Sequence, residues 1–444
     1  MPDKHTVISE GVDASTEERR SRALHISPAH VEWKSRLSVG DGLVVIIPAL
    51  QFVQFNAIGI VFASDLLLLF AFPLIFLRRL HRLRQRQVQT VLILGLAWFL
   101  GQVFTDMIRQ SQPEDFLRGW SKIALTITHF AVIWVLLRNS IRRFVLYGIG
   151  VCIGGMLTCL VSPNRFVLEY PWKFGFALPV TFAVIIIASC IPLKRQGSLF
   201  LFVLVALSGV NLFLSFRSLG VTCLVCAGFS YLHMFARKRS IRLGKSHMLI
   251  IAAAILLSIA GFQEAYEYTV QNGMLGADAQ AKYDTQQGVG GLLLGGRSEI
   301  LSSAQAILDS PIIGHGSWAR DPQYAAILRQ RRAELGYKQQ HDDGSDLIPS
   351  HSHIFGAWVE AGILGALFWL WILKFVVVTL FRATGEEPLL PMFAFIAFLL
   401  CWDILFSPYG AERRFLTPYF IAGIVLFSSF TTKIRTAMAG VSTS

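Results

Sequence analysis

The stretch HIFGAWVEAGILGALFWLWILKFVVVT, residues 353–379, is long and apolar enough to cross a bilayer as one helix. About 20 apolar residues, each rising about 1.5 Å along a helix, span the hydrocarbon layer. Two ionisable residues, His353 and Glu360, nevertheless stand in its first half, where charge is costly. The stretch therefore predicts a transmembrane helix with a candidate functional site at its start.

Similar apolar runs recur along the rest of the chain. Hydrophobic residues make up 54% of the 444 residues and charged residues only 15%, outside the range of ordinary soluble domains. We predict an all-α polytopic membrane protein with about 12 transmembrane helices. The predicted spans are 42–58, 60–77, 88–105, 121–137, 143–161, 174–193, 198–214, 218–236, 247–263, 353–379, 390–407 and 414–432.

Basic residues are distributed unevenly over the loops between these spans. The short loops on one side carry 18 Lys and Arg, whereas those on the other side carry 8. Cytoplasmic loops are enriched in Lys and Arg, so this asymmetry places both termini in the cytoplasm. It also accounts for the net charge of +12 without nucleic acid, because no basic stretch is interleaved with aromatic residues.

The predicted spans divide the chain into five segments. These are a polar cytoplasmic tail (1–40), helices one to nine (41–263), a long periplasmic loop (264–352), helices ten to twelve (353–432) and a cytoplasmic tail (433–444). The start of the helix at His353 then faces outside, where nucleotide sugars are not available.

An amphipathic helix along the membrane surface is predicted inside the long loop. Apolar residues recur there at helical spacing, at Ile300, Leu301, Ala304, Ile307 and Leu308. Arg297 would stand at the N-terminus of this helix, where free backbone N–H groups and a guanidinium favour an anion such as phosphate. The alternative is an arginine that reaches towards the lipid headgroups.

Arg217 and His353 are the other candidate functional residues. Arg217 lies near the outer boundary between two spans with almost no loop, where it serves either a ligand or a lipid phosphate. The helix dipole at His353 disfavours imidazolium, which leaves the ring neutral, as a general base requires. Glu360 lies two turns further on, about 10 Å along the axis and too far to touch His353, which favours a structural role.

A metal site is the alternative for the same histidines. His351 and His353 form an H-x-H pair, and three further potential ligands precede them, His341, Asp342 and Asp343.

Three motifs occur in order along the chain: S-x-R-S at 215–218, R-S-x8-I-x-x-S-P-I-x-G-x-G at 297–316, and H-S-H at 351–353 followed by E-A-G-I-L-G at 360–365. Together they resemble the O-antigen ligase and O-antigen polymerase superfamily of bacterial membrane glycosyltransferases. The resemblance spans about residues 205–380. Ile354 stands where the family usually has asparagine, but the spacing to E-A-G-I-L-G favours His353 over His351 as the functional histidine.

The resemblance implies a bundle of the GT-C type and a glycan donor linked to undecaprenyl diphosphate. It implies that Arg217 and Arg297 hold the diphosphate, that His353 acts on the acceptor hydroxyl, and that no metal or cofactor is needed. Further supporting candidates are His351, Glu360, Arg413 and Arg414.

The predicted activity is glycan transfer at the outer face of the bacterial inner membrane. A polymerase of O-antigen or exopolysaccharide is our first expectation, with a ligase acting on lipid A core or a protein O-glycosyltransferase as alternatives. Expected partners are the lipid-linked glycan, a glycan or lipid acceptor, membrane lipids and other polysaccharide assembly proteins, and no nucleic acid. A transporter or flippase is the rival class, although the sequence has no internal repeat and its conspicuous charges lie at the rim.

Overall fold

A computed structural model describes residues 38–442 apart from 58, 138, 191–192, 240–260, 262–263, 265, 275–276, 339–345, 388 and 412. A short hairpin, β1 (Gln54–Asn56) and β2 (Ile60–Phe62), follows the first helix. The helices are α1 (Val39–Ala49), α2 (Ala63–Arg79), α3 (Arg86–Arg109), α4 (Pro113–Leu137), α5 (Ile141–Val161), α6 (Arg165–Glu169), α7 (Ala177–Ser189), α8 (Leu193–Phe213), α9 (Arg217–Lys238), α10 (Ala277–Gln286), α11 (Gly291–Gly295), α12 (Ile300–Asp309), α13 (Pro322–Glu334), α14 (His353–Phe381), α15 (Leu390–Phe406) and α16 (Arg413–Ser442).

Seven of the described helical segments are long and apolar enough to cross a membrane. They are Arg86–Arg109, Pro113–Leu137, Ile141–Val161, Trp172–Ser189, Arg217–Ala236, His353–Phe381 and Arg413–Ala437. Shorter apolar helices cover four more predicted spans, and the predicted span 247–263 lies almost wholly outside the described residues. The chain is thus an all-α, multi-pass membrane protein, while the number twelve and the side of each terminus stay predictions.

Helix α15 lies at the centre of the bundle. It packs against α9, α14 and α16, and most of its side chains are buried. A helix that is covered on several sides can be apolar all round, which its sequence is. Aromatic rings join it to its neighbours, because Phe393 stacks on Phe144, and Tyr419 stacks on Phe144 and donates a hydrogen bond to its carbonyl oxygen at 2.8 Å.

The amphipathic helix of the loop is α12, and one of its faces packs on the protein. It contacts α13 and α14, while Leu308 stays exposed, and its position along the membrane surface stays a prediction. Ala306 and Ile307 form a small core there with Tyr324, Ile348 and Val359. The helix ends at Asp309, directly before Ser310 and Pro311. The loop is therefore a folded cap on the start of α14.

A kink in α14 explains the glycines of two motifs. Gly362 has φ +62°, so the helical hydrogen bonds are interrupted around it. The segment 312–316 fills the gap: the N–H of His315 donates to the carbonyl of Val359 at 2.7 Å, and that of Gly316 to Glu360 at 3.1 Å. Ile363 donates in turn to the carbonyl of Ile312. The loop and the helix thus exchange backbone hydrogen bonds where a side chain would separate them.

A buried carboxylate holds the end of this segment in place. Asp106 of α3 accepts hydrogen bonds from the backbone N–H and the hydroxyl of Ser317, at 2.6 and 2.7 Å. It also accepts from the indole N–H of Trp120 and the hydroxyl of Ser111. A buried carboxylate is stable only when its oxygens are satisfied, as they are here. The first half of α14, with His353 and Glu360, is fixed by these contacts.

Candidate functional site

The candidate site lies where α9, α14 and α16 begin and α15 ends. Arg217, His353 and Arg413 are the first residues of their helices, and Asp403 lies in the last turn of α15. Arg297 is within electrostatic range of Arg217, Arg413 and Asp403. His353 is within electrostatic range of Arg413. The two predicted arginines and the predicted histidine are therefore brought to one end of the bundle.

His353 has one ring nitrogen fixed and the other free. Its side chain is fully buried, and Nδ1 lies 2.6 Å from the carbonyl oxygen of Ser407. A carbonyl oxygen can only accept, so Nδ1 must carry the proton. In the neutral ring Nε2 then has a lone pair, and among the described residues it has no hydrogen-bond partner. The geometry thus makes Nε2 of His353 a proton acceptor.

Aromatic rings hold the imidazole of His353. Trp369 and Tyr409 meet it edge to face, with ring centroids 4.7 and 4.9 Å away. The hydroxyl of Tyr409 is 2.7 Å from that of Thr126 on α4. The ring is therefore constrained by packing on two sides and by a hydrogen bond at Nδ1, which preorganises Nε2.

Arg297 lies in the turn before α12, which corrects part of the predicted anion site. The helix begins at Ile300, and its first N–H groups already donate to the carbonyls of Arg297, Ser298 and Glu299. These N–H groups are therefore not available to a phosphate. Of the two groups predicted to bind the anion, the helix N-terminus and the Arg297 guanidinium, only the guanidinium is left. Its Nη1 donates to the carbonyl of Gly296, and Nε is buried without a partner among the described residues.

The charge of Arg297 is poorly compensated. Burial lowers the pKa of Arg297 below its ordinary value, Glu299 opposes this change, and the neighbouring cations Arg217 and Arg413 add to it. An anion bound among these cations would favour the charged form of Arg297 and so offset both its burial and its repulsion by Arg217 and Arg413. The turn itself is held by Arg332, which is buried and contacts the hydroxyl of Ser298.

Arg217 is oriented by groups of the loop. Its guanidinium lies 4.7 Å from the ring centroid of Tyr266, and Nη2 donates to Gln286 at 2.7 Å. Neither partner is acidic, so the positive charge of Arg217 is not neutralised by these contacts. This is the arrangement expected of a cation that meets an anionic ligand.

The four supporting candidates have different roles. His351 is exposed and lies 3.3 Å from a carboxylate oxygen of Glu299, which links the H-S-H segment to the turn of Arg297. Glu360 forms an ion pair with Lys122 of α4 at 2.5 Å. Lys122 is within electrostatic range of His353, so this ion pair borders the site.

Arg413 and Arg414 are adjacent in the sequence but contact different groups. Arg413 contacts the buried carboxylate of Asp403 and belongs to the site. Arg414 is buried away from it, 3.1 Å from Asp65 of α2, and its backbone carbonyl accepts from Nδ1 of His129. Arg414 is therefore a structural residue, and its prediction as a supporting site residue is not favoured by its contacts.

Sequence reasoning missed Lys122, Asp403 and Tyr409. Asp403 is the only acidic residue of α15, in the apolar run LPMFAFIAFLLCWDILF. An ionisable residue inside such a run is a functional candidate by default, so the signal was present. In the sequence Lys122 looks like any other loop charge, and nothing distinguishes Tyr409 from other aromatic residues.

The metal alternative has no support from the part of the chain that the structure describes. Within it, no three His, Cys, Asp or Glu side chains are grouped as ligands. His341, Asp342 and Asp343 lie outside the described residues, so that alternative is not tested.

Comparison with known proteins gives one match. Residues 201–370 match the Wzy_C family model, whose description is O-antigen ligase. No curated protein and no solved structure matches the chain. The matched segment contains Arg217, Arg297 and His353, whereas Asp403 and Arg413 follow it. The match over this segment supports the assignment of the chain to the O-antigen ligase and O-antigen polymerase superfamily.

Proposed function

We propose that the chain is a glycosyltransferase that moves a glycan from an undecaprenyl-diphosphate donor to a hydroxyl acceptor at the outer face of the inner membrane. The observation that carries the proposal is the free Nε2 of buried His353 at the same end of the bundle as Arg217 and Arg297. A base and a set of uncompensated cations are the two elements that such a transfer needs.

In the proposed reaction the acceptor oxygen attacks the anomeric carbon of the donor sugar. A bond forms between them, and the bond from that carbon to the diphosphate oxygen breaks with its electron pair. The acceptor proton passes to Nε2 of His353. Negative charge that develops on the diphosphate is stabilised by Arg217 and Arg297, while Arg413 stays paired with Asp403.

The proposed donor is supported by the chemistry of the cations. Planar guanidinium groups bind phosphate oxygens in a bidentate manner, and diphosphate offers several such oxygens. A donor carried on a lipid also suits a site at the end of membrane-spanning helices. Transport is less well supported, because transporters place their polar groups near the membrane midplane.

The first test replaces each predicted cation. Arg217→Ala and Arg297→Ala should abolish product while the protein still inserts, and Lys at either position should restore little, since a point charge does not reproduce the fork. Arg165→Ala is the matched control, because Arg165 also begins a helix and is exposed. Full transfer by both Lys variants would show that any positive charge suffices at these positions. It would contradict bidentate binding of the diphosphate by the two arginines.

The second test concerns the base. His353→Ala should slow transfer by on the order of 10²-fold or more, the usual scale of general acid–base catalysis. Donor binding should persist, and His351→Ala should be much milder because His351 is exposed. A dead His351→Ala variant together with inactivation by EDTA would favour the metal alternative instead.

The acceptor decides between polymerase and ligase, and a deletion strain distinguishes them. Loss of a polymerase should leave single repeats on the lipid carrier, whereas loss of a ligase should leave long chains on it. We propose polymerase first, as predicted from the sequence, and the family description of O-antigen ligase keeps the ligase as the second candidate.

A further inference from the structure

A polar cavity lies between the end of α14 and α16, at the end of the bundle opposite the candidate site. Its volume is about 230 Å³, and Thr379 of α14 is among its lining residues. Thr379 follows His353 by 26 positions, which corresponds to roughly 40 Å of helix. The cavity is therefore separate from the candidate glycosyl-transfer site.

The lining is positively charged. Arg382 and Arg435 contribute guanidinium groups, the other lining residues are Ser and Thr, and no acidic side chain takes part. Nε of Arg435 donates to the backbone carbonyl of Arg382 at 2.9 Å, which holds its side chain over the end of α14. No carboxylate in the described part of the chain pairs with either arginine.

A buried hydroxyl donor without a partner completes the lining. Thr379, Thr432 and Thr436 each donate to a helix carbonyl four residues earlier. Thr431, in contrast, is only 3% exposed, and its Oγ1 has no hydrogen-bond partner among the described residues. A buried hydroxyl without a hydrogen-bond partner costs free energy. An acceptor bound in the cavity would remove this cost for Thr431.

We propose that this cavity binds a phosphate group. Phosphate oxygens would accept from the Thr431 hydroxyl and from both guanidinium groups, and their charge would offset the two cations. The sequence places Arg382 and Arg435 on the cytoplasmic side, where acidic phospholipids supply phosphate at the depth of the helix ends. A lipid headgroup and free inorganic phosphate share this chemistry.

The test measures ligand affinity by thermal stabilisation of the full-length protein in neutral detergent. Phosphatidylglycerol is titrated in one arm, and potassium phosphate against potassium chloride of equal ionic strength in the other. The variants are Arg382→Gln combined with Arg435→Gln, and Thr431→Val, which removes the hydroxyl at similar volume. Lys433→Gln is the matched control, since Lys433 is exposed on the same helix and does not line the cavity.

Loss of the two arginines should raise the apparent Kd for phosphatidylglycerol at least about tenfold, the effect of one lost charge-assisted bond. Thr431→Val should raise it about threefold, and Lys433→Gln should leave it unchanged. Stabilisation by potassium phosphate alone would identify free phosphate as the source. Equal affinities in the double variant and in Lys433→Gln would overturn the proposal, and Thr431→Val decides the matter if the double variant does not fold.

Discussion

Replacement of Gly362 by alanine tests whether the kink in α14 supports the site. A Cβ at this position would lie 2.0 Å from the carbonyl oxygen of Ile312, and φ is +62°. With ψ at −152° this backbone region is essentially open to glycine alone, and it costs alanine about 1–3 kcal/mol. The clash is with backbone, so the loop must move away and the three hydrogen bonds across the kink are lost, at about 0.5–1.5 kcal/mol each. The total is about 2.5–7.5 kcal/mol.

Gly356→Ala in the same helix is the matched control. A Cβ there has only the Ser350 hydroxyl nearby, at 3.3 Å, and the backbone is helical. Alanine should therefore be tolerated or even stabilising by up to about 1 kcal/mol. Thermal unfolding of the purified proteins and glycan transfer in cells are the two measurements. If Gly362→Ala unfolds and transfers glycan as Gly356→Ala does, the exchange of hydrogen bonds does not position His353.

Three further changes probe other contacts. Asp65→Ala should destabilise the protein by on the order of 3 kcal/mol, because it removes the oxygens that contact buried Arg414 and His129, and an unchanged melting temperature would contradict that role. Lys122→Met or Glu360→Gln alone should destabilise by about 1–3 kcal/mol, and the double variant should recover most of the loss, since it leaves no unpaired charge; additive losses would mean that the pair is not coupled. A membrane-impermeant thiol reagent should label Gln330→Cys in intact cells but not Lys433→Cys, and the reverse pattern would invert the predicted topology.

The sequence predicted the helical bundle well because hydrophobic length is a local property. The predicted start of the helix at His353 is found in the structure, and Arg217, Arg297 and His353 lie at one end of the bundle. The packing of α12 on the protein is not predicted from the sequence, because an apolar helix face suits protein and lipid equally well. Only the folded loop shows that Tyr324, Ile348 and Val359 cover Ala306 and Ile307.

The kink is not predicted from the sequence, although its glycines lie in the motifs S-P-I-x-G-x-G and E-A-G-I-L-G. The resemblance to a family gives these glycines no physical role. Gly314 has φ +87°, and a Cβ there would lie 2.6 Å from the backbone N of Gly362. Each position must therefore be glycine because the backbone of the other segment lies too close for a side chain. No pattern within one helix could reveal a contact between segments about 50 residues apart.

Arg413 and Arg414 show most clearly what sequence cannot decide. Successive helical residues point about 100° apart, so one reaches Asp403 and the other Asp65. Around Arg414, Nδ1 of His129 donates to its carbonyl, while Nε2 of the same ring lies 3.2 Å from Oδ1 of Asp65. Two acceptors at that distance repel unless a proton lies between them. Whether that proton is on Asp65 or His129, the trio keeps one net positive charge. Arg414 is therefore held within a buried network at the start of α16, and this leaves Arg413 to face the site.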